Sequence, residues 1–104
     1  MHSRVTEGSG KGWFVGPWNS IVPVAIGYAD TGVNDPHVHE QMCEVYLVAR
    51  GTSTMHVGDE TLALTAADMV VVEPGEPHMF TGSSDDYLHF VLQAPFVHGD
   101  KRGL

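Results

Sequence analysis

The stretch His37-Val38-His39-Glu40-Gln41-Met42-Cys43-Glu44-Val45-Tyr46-Leu47-Val48-Ala49-Arg50-Gly51 decides how this chain is read. Its opening places two imidazoles at i and i+2, so an extended backbone projects both from one face. Glu44 to Ala49 reads as a strand, dominated by apolar residues and ended by Arg50-Gly51. If Glu44 points inward, alternation sends Met42, Tyr46 and Val48 the same way and Cys43 and Val45 the other.

Working outward, Thr31 to Pro36 is turn material, and Val22 to Ala29 before it reads as another strand. Residues 1–12 are polar and glycine-rich and are expected to form a flexible arm. Trp13, Phe14 and Trp18 follow, with Pro17 and Pro23 expected to break any regular element. On the other side, Thr52 to Val57 leads into the hairpin signal Gly58-Asp59-Glu60, and Thr61 to Leu64 returns. Met69 to Val72, Met79 to Thr81 and Tyr87 to Leu92 complete the set of strands. No stretch longer than one turn carries a 3.6-residue period, so an all-β sandwich or barrel is expected, as one domain over residues 13–104. Glu44 to Val48 is largely apolar on both faces and Met69 to Val72 is apolar throughout. Something must cover their outer face, either the aromatic N-terminal segment or a second copy of the chain, and a homodimer is expected.

Composition narrows the function. The chain has 104 residues, room for one core and not two. Thirteen acidic residues against five basic ones give a formal charge of −8, which argues against a nucleic-acid partner. The longest apolar run, Met69 to Val72, is far too short to span a membrane, and the N-terminus carries no apolar signal-like core. A cytoplasmic protein without a membrane partner is expected. The single cysteine, Cys43, rules out both an internal disulfide and a thiolate-rich zinc site.

The chain has seven histidines, and their placement matters more than their number. His37 and His39 precede Glu44 closely, and His78 arrives after the turn Glu73-Pro74-Gly75-Glu76-Pro77. An adjacent strand can bring His78 opposite the other three. Three imidazoles and a carboxylate suit one divalent transition metal ion (Fe, Mn, Zn, Ni or Co), with coordination positions left for water or substrate. A histidine pair at i and i+2 taken alone is equally compatible with surface or core positions.

The remaining residues of the pattern resemble those of the cupin superfamily. His37, His39, Glu44 and Gly51 match every fixed position of its first motif, HxHxxxxExxxxxxG. The second motif is represented by Ala67-Asp68 and by Glu73 to His78, with its Gly-x-x-His core intact at Gly75 and His78. The resemblance covers about residues 32–98, and the spacer from Thr52 to Ala67 is as short as in the smaller bacterial cupins. Departures fall at turn or flanking positions. Gly32 is one residue closer to His37 than the pattern has it, Ala67 replaces a glycine, Glu73 replaces a proline, and Gly82 stands where asparagine is common. The resemblance implies a six- to eight-stranded antiparallel jelly-roll barrel, frequent dimers, and His37, His39, Glu44 and His78 as metal ligands.

Beyond the ligands, Tyr46, His56 and His89 are candidates for proton transfer or substrate contact. Each has a plainer reading: a core tyrosine for Tyr46, a hairpin surface histidine for His56. His89 shares a face with Tyr87 and Val91 by alternation. Met42, Met55, Met69 and Met79 invite a Cu(I) site but fit better as core gap-fillers, and His2 and His98 lie in terminal segments. The expected function is a metalloenzyme acting on a small oxygen-bearing molecule, either a dioxygenase with Fe(II) or a Lewis-acid isomerase, lyase or cyclase. The alternative is a metabolite-binding or sensor module without turnover, with a structural or storage role third.

Overall fold

A computed structural model describes all of residues 1–104. The chain forms ten strands and no helix: β1 (Lys11–Val15), β2 (Ala25–Ala29), β3 (His37–His39), β4 (Cys43–Arg50), β5 (Thr52–Val57), β6 (Glu60–Thr65), β7 (Met69–Val72), β8 (His78–Ser83), β9 (Leu88–Ala94) and β10 (Lys101–Gly103). One sheet runs β1-β2-β9-β4-β7 and the other β10-β3-β8-β5-β6, with every pairing antiparallel. The two sheets face one another as a jelly-roll barrel. Strands β2 to β9 number eight, the upper end of the six to eight expected, and β1 and β10 extend the sheets by one strand each.

Those two edge strands were not legible locally. β1 takes up Lys11 and Gly12, the last two residues of the segment expected as a loose arm, and runs on through Trp13 and Phe14 to end at Val15, ahead of Pro17. It exists because β2 recruits it, pairing Lys11 with Ala29 and Trp13 with Gly27. Pro17 and Pro23 both lie outside regular structure, and β2 begins only at Ala25, beyond Pro23, and not at Val22. β10 pairs Lys101 with His39 and Gly103 with His37. Asp100 anchors it, accepting hydrogen bonds from the backbone N–H groups of Glu40, Gln41 and Met42 at 2.9–3.2 Å.

Alternation along β4 is as expected. Glu44, Tyr46 and Val48 are buried, whereas Cys43 and Val45 are half-buried and Leu47 is exposed. Tyr46 and Val48 join Met55, Val57, Leu64, Val70, Val72, Phe80 and Tyr87 in one core between the sheets. On the outer face, β4 and β7 place Leu47 beside Met69 and Val45 beside Val71. Leu47, Met69 and Val71 all remain exposed. The aromatic N-terminal segment covers the same outer face only over β2 and β9, with Phe14 against Tyr28 (ring centroids 5.1 Å) and Phe90 (6.2 Å).

Two turns make the same backbone demand, and different residues meet it. Gly51, between β4 and β5, has φ +75°, and a Cβ there would lie 2.7 Å from the Tyr87 Cα. Ala67, which stands where the motif has glycine, keeps the left-handed conformation at φ 74°. A non-glycine residue pays about 1 kcal/mol for that region. We therefore expect Gly51→Ala to cost about 2 kcal/mol or more, and Ala67→Gly to stabilise by up to about 1 kcal/mol. Chemical denaturation of both variants beside Gly82→Ala, whose Cβ meets nothing within 4 Å, checks the pair.

Candidate metal centre

The two sheets meet at four buried side chains. His37 and His39 project from the same face of β3, Glu44 comes from β4, and His78 opens β8 directly across from His37. The turn from Glu73 to Pro77 is tied to β3 by the Gly75 N–H, which donates to the His39 carbonyl at 2.7 Å, and this delivers His78. One potential ligand atom from each of the four residues lies within 4.8 Å of all the others.

Two local sequences repeat. Asp35-Pro36-His37 and Glu76-Pro77-His78 each put a proline between a carbonyl and an imidazole. Proline restricts the residue before it to extended conformations, which aims that residue's carbonyl at the ring two positions on. His37 Nδ1 donates to the Asp35 carbonyl at 2.9 Å and His78 Nδ1 to the Glu76 carbonyl at 3.0 Å. A carbonyl can only accept, so Nδ1 carries the proton in both rings.

That assignment has a consequence at the centre. In a neutral His78 the other nitrogen, Nε2, bears a lone pair, yet it lies 2.9 Å from Glu44 Oε1, also an acceptor. His39 Nε2 lies 3.0 Å from the same oxygen, and His39 Nδ1 is buried without a hydrogen-bond partner. Acceptors facing one another need a cation between them, either a proton or a metal ion. Metal–nitrogen and metal–oxygen bonds of about 2.1 Å place neighbouring ligands about 3 Å apart at right angles, which these separations match. His37, His39, Glu44 and His78 thus fit a divalent ion by donor type and by the clustering of their ligand atoms within 4.8 Å, and the tautomers of His37 and His78 turn Nε2 toward it.

The carboxylate is held from behind. Tyr46 donates its hydroxyl to Glu44 Oε1 at 2.9 Å, and Gln93 donates its side-chain amide to Oε2 at 3.0 Å. Burial alone would raise the Glu44 carboxyl, but where protons rather than a metal ion bridge it to the imidazoles, the hydrogen bonds from His39 and His78, with that from Gln93, reverse this and hold it well below the usual carboxylate range. Burial, the nearby Glu44 charge and the bond it makes to Glu44 push the Tyr46 phenol far up, so it acts as a donor and not as an acid. Burial lowers His37, opposed by the Asp35 carbonyl, with the neighbouring His78 and Lys101 charges adding to the fall.

Of the three side chains considered for proton transfer, two line the cavity. This cavity, about 550 Å³, opens between the sheets and is walled by His37, His39, Glu44, Tyr46, His89 and Gln93 among others. Tyr46 is committed to Glu44. His89 is buried, its Nδ1 lies 2.7 Å from the Tyr87 hydroxyl, and burial depresses its pKa to about 4 despite the opposing Glu44 charge. His56 is elsewhere: it sits between the buried Met55 and Val57, so its ring points outward, bonded to Thr61 and Thr81 at 3.1 Å each. The candidate role for His56 is therefore corrected to that of a surface histidine. Gln93 was missed by sequence reasoning. Carrying the alternation of His89 and Val91 two residues further would have found it, as a lone amide directly opposite Glu44.

The comparisons agree with this architecture. The cupin domain family model matches residues 27–93, which include every proposed ligand. Among solved structures, Streptomyces Pac13, a nucleoside dehydratase also solved with uridine, is similar over 100% of this chain and 92% of its own, at 18% identity and TM-score 0.71. KdgF from a Halomonas species matches 92% of this chain and 90% of its own, at 20% identity and TM-score 0.69. A cupin-like protein of Thermotoga maritima matches 90% and 74%, at 18% identity and TM-score 0.74. At these identities the likeness is one of fold. No curated protein matches the sequence. With the family model spanning most of the barrel and both of its motifs, this chain belongs to the cupin domain family.

Proposed function

We propose that this protein is a metal-dependent enzyme that moves a proton on a small oxygen-bearing molecule, as an isomerase, lyase or cyclase does. The observation that carries the reading is His89, a buried histidine in the wall of the same open cavity as the ligand cluster. A divalent ion held by His37, His39, Glu44 and His78 supplies a Lewis acid for a substrate oxygen. The protein's own groups do the rest. With its pKa near 4, His89 is uncharged at neutral pH and keeps a lone pair available. Tyr87 holds the ring through Nδ1, leaving Nε2 for substrate when Nδ1 carries the hydrogen. Tyr46 and Gln93 fix both oxygens of Glu44, so the carboxylate keeps one orientation throughout.

The nucleoside dehydratase activity of Pac13 supports elimination chemistry on this fold. Fe(II) in the same three-histidine, one-carboxylate set would instead suit a dioxygenase, a relative of the sites on which non-haem oxygenases are built. We place the enzyme in the cytoplasm, in keeping with its one unpaired cysteine. We also propose a homodimer that covers Leu47, Met69 and Val71, the exposed outer face of β4 and β7.

Protein purified without chelator is expected to carry about one equivalent of divalent metal by elemental analysis, and His78→Ala to lose it. Metal-loaded protein is expected to exchange acidic C–H protons of small hydroxy- and oxo-compounds with solvent deuterium, followed by NMR. His89→Gln should slow that exchange about 100-fold while retaining the metal. Metal-dependent oxygen consumption without exchange would replace this reading by the dioxygenase, and neither activity would leave a binding module.

Burial of His89 also predicts a pH dependence of stability. The unfolded chain takes up the proton near the ordinary histidine value of about 6.5, the folded one only near 4. Stability from this residue is therefore complete above about pH 6.5 and lost as the pH falls toward 4. In metal-free protein, His89→Gln should shrink the difference in unfolding free energy between about pH 7 and about pH 4.5 by about 2 kcal/mol. Leu47→Lys should shift sedimentation toward the monomer without lowering metal content.

A further inference from the structure

The chain holds five basic residues, of which only Lys11 and Lys101 are lysines. Both line the cavity that contains the ligand cluster. They are 90 residues apart in sequence and reach the cavity from opposite sheets. Lys11 lies on β1, across from Ala29, which in turn pairs with His89. Lys101 lies on β10, directly across from His39. β1 and β10 are the edge strands at the same side of the barrel, one in each sheet, so the lysines flank the mouth between them.

Their electrostatic surroundings are unusual for this protein. Against a formal charge of −8, the only carboxylate in the cavity wall is Glu44, already bonded to histidines, Tyr46 and Gln93. Arg50 and Arg102 pair with Glu7 and Glu40, whereas Arg4, in the N-terminal segment away from the cavity wall, and both lysines have no carboxylate within 4.0 Å. Two unpaired ammonium groups at the rim of a concave site in an acidic protein have no structural task. Lysines leaving the cavity wall for solvent would serve solubility equally well anywhere on the surface, and the chain places none elsewhere.

We infer that the cavity takes a small organic anion, whose carboxylate or phosphate is held between Lys11 and Lys101 while a second oxygen reaches the ligand cluster. This rests on the metal-enzyme reading for the inner end of the substrate, and on the lysines alone for the outer end. It defines the substrate as bifunctional: an oxygen near His37 and His39, and an anionic group toward the edge strands. An anion held this way would also present the intervening carbon atoms to the wall that contains His89.

The test is calorimetric titration of protein of measured metal content with three probes sharing a hydroxylated three-carbon frame: glycerol, glycerate and glycerol 3-phosphate. Both anions are expected to bind more tightly than glycerol, and raised salt to weaken only the anions. The preferred anion identifies carboxylate or phosphate as the recognised group. Lys11→Gln and Lys101→Gln should each weaken the preferred anion about tenfold or more, as loss of a hydrogen bond to a charged group does, and leave glycerol unchanged. Because both lysines are exposed and unpaired, unfolding midpoints should not change. Anion binding indifferent to both substitutions in metal-loaded protein would overturn the inference and leave the metal site standing. Lysine-dependent anion binding in protein that takes up no metal would uphold the inference and overturn the metal-enzyme reading.

Discussion

The rest of the structure depends on the carboxylate of Glu44. It belongs to the sheet that contains β4, yet two of its contacts, to His39 and His78, cross to the opposite sheet. Tyr46 and Gln93 hold it from its own side. A buried charge deprived of its partners costs several kcal/mol, so none of these contacts is dispensable to the others. The barrel is therefore closed at this point by polar contacts, whereas at the other end the apolar core closes it. The site is part of the inter-sheet packing and cannot be altered without disturbing the fold around it.

The tautomers follow from backbone geometry. The carbonyls of Asp35 and Glu76, each set by the proline that follows, hold the Nδ1 protons of His37 and His78 and turn the Nε2 lone pairs inward. The same local device on two strands that pair directly, His37 against His78, gives two ligand-competent rings from a three-residue pattern. His39 lacks this device, and its Nδ1 has no partner. Its orientation comes instead from the Glu44 contact and from a backbone pinned on both sides, by Gly75 and by β10.

What could be read from the sequence divides along the same line. The inner strands announced themselves, because alternation around Glu44 and the turn residues at Gly51, Gly58 and Gly75 are local signals. So did the ligand set, whose spacing is carried by a motif. β1 and β10 gave no such signal. Lys11 to Val15 follows glycines and precedes a proline, and Lys101 to Gly103 is short and fully exposed. Each is a strand only because a neighbour offers unpaired backbone groups. His56 failed for a simpler reason, since strand period alone cannot say which face of β5 is inside until Met55 and Val57 are seen to fill the core.

The cavity exists because the inward face of β2 is small. Alternation directs Ala25, Gly27 and Ala29 to the interior, opposite Gln93, Val91 and His89 of β9. Strands β4, β5, β7 and β8 carry Tyr46, Val48, Met55, Val70, Val72 and Phe80 on theirs. Tyrosine, methionine and phenylalanine fill the space between the sheets, whereas alanine and glycine cannot, so the barrel is solid toward β6 and β7 and hollow toward β1 and β10. Trp13 reinforces the asymmetry by lying over Gly27, where an added Cβ would come within 2.7 Å of its ring. A larger residue at position 27 would also meet the Gly12 carbonyl at 2.5 Å, so it would push the β1 backbone away together with Trp13 and reshape the mouth. The edge strands that sequence left illegible therefore form the entrance, and the polar end of the barrel is open to small molecules because its side chains are too small to close it.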